Sequence, residues 1–241
     1  MKIRLNKYLA LAGVASRREA DRMISEGRVS VNGETAEMLG IQVDEVKDKV
    51  AVDGKIVKPM KSDVYLMLNK PPGYLVTAKD PFLRPTITDL LPAMKNRIFP
   101  VGRLDFDSEG LLLLTNDGDL ANRLMHPSYQ VIKEYRIRVR PKPDLSTLAT
   151  LEKGISLDGK KTAPAKFRIL TTTVKGTLLM AKLHEGRKRE LRRMFECMGF
   201  RVIALKRVKL GSLHLGPLKK GKWRHLKREE VIRLKKKVGL G

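Results

Sequence analysis

The run Leu111-Leu112-Leu113-Leu114 constrains the chain most, because Gly110 opens it and Asn116-Asp117-Gly118 closes it with turn chemistry. Four leucines fall far short of the ~20 apolar residues a membrane span needs, so residues 110–115 read as an apolar strand. Ahead of that strand lies Gly102-Arg103-Leu104-Asp105-Phe106-Asp107-Ser108-Glu109-Gly110, preceded by the apolar Phe99-Pro100-Val101. Its three carboxylates, Asp105, Asp107 and Glu109, fall at alternate positions. A polar loop held by a strand on each side is a rigid platform for a reacting group. By composition alone the same acids also fit a solvated loop, with Asp117-Gly118 a plain turn.

The rest of the chain reads in two parts. In residues 1–60, Leu5, Tyr8, Leu9 and Ala12 recur at helical spacing until Gly13. Ser16-Arg17-Arg18-Glu19 has the form of a capping box, which predicts a second helix beginning after Ser16 and running to about Gly27, with Arg18 and Arg22 on one face. Residues 28–31 alternate like a strand into the hairpin signal Asn32-Gly33, and 50–52 returns through Asp53-Gly54 into 55–57. Residues 59–63 read as a linker, with domain edges drawn at 1–60, 61–63 and 64–241. Beyond it, strands are expected at 65–69 and 74–77, flanking the turn Lys70-Pro71-Pro72-Gly73. Further strands are expected at 133–140, 166–172, 177–183 and 201–207, and helices at 144–153, 190–198 and 227–237. The fold class is α+β: a small N-terminal α/β domain, then a larger domain with a mixed, mainly antiparallel sheet and flanking helices.

Charge narrows the partner. Lys and Arg number 50 against 26 Asp and Glu, a formal charge of +24. With 42% hydrophobic residues the chain can bury real cores and is no disordered basic tail. Such a surplus favours nucleic acid over a small acidic ligand. Residues 201–241 hold fourteen basic side chains against Glu229 and Glu230 alone, whereas residues 1–60 are close to balance. Cys197, the single cysteine, rules out an internal disulfide framework and suits a reducing compartment. No apolar leader is visible at the N-terminus, so a cytoplasmic protein with no membrane partner is expected. A monomer is expected too, because no long apolar heptad or unpaired strand pattern stands out. His126, His184, His214 and His225 are scattered, with no HxxxH, CxxC, GxSxG, Walker loop or GxGxxG, so no metal is expected. A carboxylate can act as nucleophile or base without a metal if a cation keeps it ionised when desolvated. The run Arg187-Lys188-Arg189-Glu190-Leu191-Arg192-Arg193 is a candidate source of that cation.

Five ordered stretches then carry a resemblance. They are Leu68-Asn69-Lys70-Pro71-Pro72-Gly73; residues 102–118; Lys133-Glu134-Tyr135; Glu185-Gly186-Arg187 through Arg192-Arg193-Met194; and Leu213-x-Leu215 to Gly221-x-Trp223-Arg224-x-Leu226. Together they resemble the pseudouridine synthases that modify uridines in ribosomal RNA. Residues 3–60 resemble the S4-like RNA-binding domain often fused ahead of such enzymes. The two matches cover almost the whole chain in the expected order.

The resemblance implies a site. Asp105 matches the essential aspartate, and three routes stay open for it: attack on the ribose anomeric carbon, attack on the uracil ring, or promotion of a glycal. Tyr135 matches the tyrosine that stacks on the target base, Arg192 the basic residue that pairs with the catalytic carboxylate, and Arg103 the residue that fills the vacated stack. Asp107 and Glu109 are assigned to loop structure. Isomerisation needs no redox step, so no cofactor is implied. The uridine must be everted from its stack, and phosphate contacts can offset that cost. Lys7, Arg17, Arg18 and Arg22 in the first domain, with Arg187 and Arg189 in the second, are the candidate RNA contacts. Arginine at 192 after Glu-Gly-Arg-x-Arg is more similar to the branch acting on large-subunit RNA, although Glu190 and Leu191 depart from its usual Gln or Val. Two rival functions remain: a non-catalytic RNA-binding assembly factor, and a base–sugar hydrolase that pairs Asp105 with Asp107.

Overall fold

The structure is a computed structural model that describes residues 2–60, 62–78, 80–94 and 97–241. Lys61, within the expected linker, lies outside the described residues. The chain divides into two compact units: Met1–Val64 with Met94–Ile98, and Tyr65–Ala93 with Phe99–Gly241.

In the first unit β1 (Lys2–Arg4) runs directly into α1 (Leu5–Leu11), and α2 (Arg17–Ser25) follows. The Ser16 hydroxyl caps α2 by accepting from the Glu19 amide at 3.2 Å. The reciprocal half of the expected capping box is replaced, because the Glu19 carboxylate accepts from Arg22. Both helices bury their periodic apolar faces, with Leu5, Tyr8, Leu9, Met23 and Ile24 all in one core. After α2 come β2 (Val29–Val31), β3 (Glu34–Thr35), β4 (Gln42–Asp44), β5 (Val50–Val52) and β6 (Lys55–Val57). β4 pairs with β1, and the others form a four-stranded sheet in the order β3-β2-β5-β6. Both expected hairpins form. Asn32 and Asp53 take positive φ ahead of Gly33 and Gly54, as the tight turn requires.

The second unit contains β7 (Tyr65–Lys70), β8 (Phe99–Pro100), β9 (Glu109–Thr115), α3 (Gly118–Met125), β10 (Lys133–Arg140) and α4 (Leu145–Glu152). It continues with β11 (Ser156–Leu157), β12 (Lys160–Lys161), β13 (Lys166–Thr173), β14 (Gly176–Leu183), α5 (Glu190–Cys197), β15 (Arg201–Leu210), β16 (Leu213–His214), β17 (Trp223–His225) and α6 (Arg228–Lys237). Among the described residues, nine strands make one sheet, in the order β13-β14-β10-β15-β9-β7-β17 with β8 on β9 and β16 on β15. Its pairings are antiparallel except β15 with β9. The mixed α+β architecture expected from sequence is therefore the one found. The four leucines of β9 are continuous because both faces of this strand are covered, and Leu111–Leu114 are at most 1% exposed.

Two expectations need correcting. Residues 74–77 form no strand; Leu75 makes only an isolated parallel bridge to Thr86. β7 is already flanked by β9 and β17, so a chain leaving the Pro71-Pro72-Gly73 turn finds no open edge beside it. Asp117-Gly118 is more than a turn: Asp117 Oδ1 accepts from the Leu120 amide at 2.9 Å and starts α3. The signal for α3 was present, since Leu120, Ala121 and Leu124 recur at helical spacing and are buried.

Candidate active site

Gly110 is where the site is assembled. It lies opposite Arg207 in the parallel pairing of β9 with β15, at φ +110°. A Cβ there would overlap the Arg207 carbonyl oxygen and come within 2.8 Å of its amide nitrogen. Only glycine lets the strands approach this closely, and that approach brings the 102–108 loop to the face of β10 and β15 that carries Tyr135 and Arg207.

The loop is pinned from beneath by a buried cation. Lys70, at the end of β7, is fully buried, and its ammonium donates to the carbonyls of Ser108 at 2.9 Å, Pro71 at 3.0 Å and Asp105 at 3.1 Å. Desolvation lowers its pKa to about 8 against the opposing pull of Asp105, Asp107 and Glu109. The Gly73 amide donates to the Phe106 carbonyl at 2.8 Å, and the Ser108 amide closes a turn on the Asp105 carbonyl at 3.1 Å. With Leu104 buried as well, the backbone on either side of Asp105 is fixed while its carboxylate remains half-buried.

That carboxylate lines a cleft of about 1140 Å³ together with Arg103, Phe106, Tyr135, Arg189 and Arg207. Ligand pockets commonly run to roughly 300–1,000 Å³, so a whole nucleotide fits. The Asp105 side chain accepts a long hydrogen bond from the Ser108 hydroxyl at 3.5 Å. Tyr135 is 8% exposed on β10, beside Arg207 in the cross-strand register. Arg207 is 2% exposed and donates from Nε to the Leu111 carbonyl at 2.7 Å, which leaves Nη2 without a partner. Lys133 donates to the His184 carbonyl at 2.9 Å, and burial, then Arg207, lowers its pKa. On the far wall, burial and then Glu185 push the Glu190 carboxyl up to about 8, while the Arg187 amide donates to it at 2.9 Å.

The other residues singled out by sequence have different fates. Arg192 is 4% exposed, and its Nη2 contacts Asp107 Oδ2 at 3.3 Å, the Asp107 carbonyl at 3.1 Å and the Ser108 hydroxyl at 3.5 Å. The ion pair expected between Arg192 and Asp105 is thus made with Asp107, and Ser108 links the two. Asp107 also accepts from Arg189 at 3.1 Å. Arg187 is held by Glu185 at 3.2 Å and by the carbonyls of Lys160 and Lys161, so it braces β12 against the cleft. Arg103 is exposed at the rim. In the first unit Arg17 and Arg18 are exposed on α2, Lys7 is half-buried on α1, and Arg22 bonds to Glu19. Sequence reasoning gave no role to Lys70, Lys133 or Arg207; the first two sit inside stretches that carried the resemblance, and Arg207 had no local signal. Among the described residues no three His, Cys, Asp or Glu side chains gather to hold a metal ion, and no helix is long and apolar enough to cross a membrane.

Against known proteins, residues 64–197 match the model of RNA pseudouridylate synthases. The chain belongs to this family. Residues 3–45 match the S4 domain. An uncharacterized RNA pseudouridine synthase of Aquifex aeolicus (strain VF5) is 47% identical over 241 residues, covering 100% of this chain and 96% of the relative. The ribosomal large subunit pseudouridine synthase B of Bacillus subtilis (strain 168) is 45% identical, covering 96% of this chain and 95% of the relative. A crystal structure of a pseudouridylate synthase superposes with a TM-score of 0.70 at 30% identity, covering 96% and 99% of the two chains. As a pseudouridine synthase the protein is an isomerase: its reaction exchanges a base–sugar C–N bond for a C–C bond. The closed loop, the aromatic wall and the cationic cleft lie in the synthase unit.

Proposed function

We propose that this synthase isomerises uridine in large-subunit ribosomal RNA, with Asp105 as its catalytic carboxylate. The observation that carries the reading is the position of Asp105. Its backbone is clamped by Lys70, its side chain is nearly free of partners, and it lines the same cationic cleft as Tyr135. A pre-positioned carboxylate loses little freedom when the substrate arrives. Tyr135 is the surface on which the everted uracil stacks. Arg103, exposed at the rim, fills the stack that the uridine vacates, and Arg189 is a rim cation that meets the RNA phosphates.

Arg192 is a positioning residue. Its charge acts on Asp105 at a distance, and it holds the loop through Asp107 and Ser108. No external oxidant or metal is required. The N1–C1′ bond breaks, the uracil turns, C5 bonds to C1′, and the proton lost from C5 is balanced by the one gained at N1. The three routes for Asp105 share this balance. A hydrolase working with Asp105 and Asp107 finds no support in the geometry, because Asp107 is bound to Arg189 and Arg192 and does not line the cleft. Lys7, Arg17 and Arg18 are assigned to RNA phosphates, Arg22 with them once Glu19 releases it, and the enzyme acts as a cytoplasmic monomer without a cofactor. Support for the large-subunit substrate comes from the name of the Bacillus subtilis relative.

Asp105→Asn tests the reading. The variant should lose at least ~10³-fold in single-turnover pseudouridine formation on transcribed large-subunit ribosomal RNA, while its RNA affinity stays within about twofold. Retained turnover, or release of free uracil by the native chain, would overturn it.

A further inference from the structure

The face of the sheet turned away from Tyr135 has a different character. Along β10 the buried Tyr135, Ile137 and Val139 alternate with Arg136, Arg138 and Arg140, so the three arginines project from the opposite side. Directly paired residues of neighbouring strands share a face, and three pairs on this one repeat the same sign, while Met180, Leu178 and Ala204 lie opposite Arg136 and Arg138. Lys166 lies opposite Lys182, Arg136 opposite Lys206, and Arg140 opposite Arg201. Like charges placed directly across a ladder are destabilising. Two carboxylates moderate part of this face: Glu134 contacts Lys182 at 3.2 Å and Lys209 at 3.3 Å, and Glu109 contacts Lys206 at 3.9 Å and also Lys220.

Toward Arg140 and Arg201 the relief ends. Arg138, Arg140, Lys175 and Arg201 surround a hollow of about 760 Å³, at which Arg192 and Asp107 also lie. The only carboxylate there, Asp107, is already held by Arg189 and Arg192. Arg192 is 4% exposed, and its Nε has no hydrogen-bond partner. Four exposed or half-buried cations thus share a hollow whose carboxylate is already paired, an excess of positive charge that an anionic partner offsets. Successive strands are about 4.8 Å apart and alternate residues about 6.7 Å apart, so the cations form an extended array across β13, β14, β10 and β15. Such an array fits a polyanion better than a single small anion.

We propose that this outer face, centred on the hollow between Arg138, Arg140, Lys175 and Arg201, binds the phosphodiester backbone of RNA at a segment separate from the one that delivers uridine to Asp105. The proposal rests on the reading of the substrate as ribosomal RNA. It also joins the two sides of the sheet, because Arg192 and Asp107 belong both to the hollow and to the mesh that holds the catalytic loop.

The test compares the full chain with Arg138→Glu/Arg140→Glu/Arg201→Glu and with a control of equal charge change, Lys153→Glu/Lys236→Glu/Lys237→Glu. Binding to transcribed large-subunit ribosomal RNA is titrated across a salt series. Relative to the control, the outer-face variant should bind at least about tenfold more weakly at low salt, and its log–log salt slope should be shallower by about 2–3. The neutral variant Arg138→Gln/Arg140→Gln/Arg201→Gln, which puts no carboxylates together, should show the same flattening if the reversed one folds poorly. Slopes and affinities equal to the control for both variants would overturn the proposal. If the native chain makes no pseudouridine in this RNA and yet the outer-face variants still lose affinity, the substrate assignment falls and the site stands.

Discussion

The two units of this protein handle positive charge in opposite ways. In the first, two arginines are neutralised at the surface by near neighbours: Arg22 by Glu19, and Arg28 by Asp53 at 2.7 Å and by Glu26 at 3.5 Å. Both partners stay in water, where screening and side-chain entropy leave such pairs little net weight. In the second unit Lys70, Arg192 and Arg207 are 0%, 4% and 2% exposed and are held largely by backbone carbonyls. A buried cation has lost its hydration, so each acceptor around it counts and its removal orphans several of them. The difference is that surface charge is replaceable, whereas buried charge fixes the shape of whatever it touches. Here it touches the loop carrying Asp105.

That contrast can be broken in three places. The largest effect is expected at Lys70→Met, which keeps the unbranched apolar stem but leaves the carbonyls of Pro71, Asp105 and Ser108 without their donor. Destabilisation of about 3 kcal/mol or more should appear in denaturant melts, with a fall in single-turnover rate even where the protein remains folded. A variant as stable and active as the native chain would show that the clamp is ornamental.

A middle effect concerns the buried acid. Glu190 titrates at about 8 in the folded chain against 4.5 ordinarily, so the folded state keeps a proton that the unfolded chain releases. Stability should therefore fall as pH rises through this window, with a slope of up to about 1.4 kcal/mol per pH unit. Thermal melts from pH 5 to 7.5, below the titration of Lys70, should show this decline for the native chain and a flatter profile for Glu190→Gln. The lowered Glu185 acts below 4.5 and does not enter the window. The smallest effect is expected at Arg28→Ala, whose exposed pairs should leave the melting midpoint almost where it was and insensitive to added salt. A large loss there would abolish the distinction between the units.

Much of the fold was legible because it is written in short-range pattern. The spacing of Leu5, Tyr8 and Leu9, the cap at Ser16 and the Asn32-Gly33 hairpin each involve neighbours in the chain, and each formed. The apolar run of β9 was legible for the same reason. Where a neighbour in space decided the outcome, pattern failed. Residues 74–77 look like a strand but meet a β7 already paired on both edges. Asp105 was identifiable only through its motif, since Asp107 and Glu109 share its spacing and chemistry.

Element types, the boundary chemistry of turns and the family of the chain were therefore determined by the order of its residues. Which of the loop's carboxylates stays open to a substrate was decided only when β9 met β15. Arg192 reaches Asp107 across 85 positions, and Arg207 reaches Leu111 across 96. Periodicity carries no information over such separations. Contacts between residues far apart in the chain do, and they engage Asp107 with Arg189 and Arg192 while leaving Asp105 in the cleft.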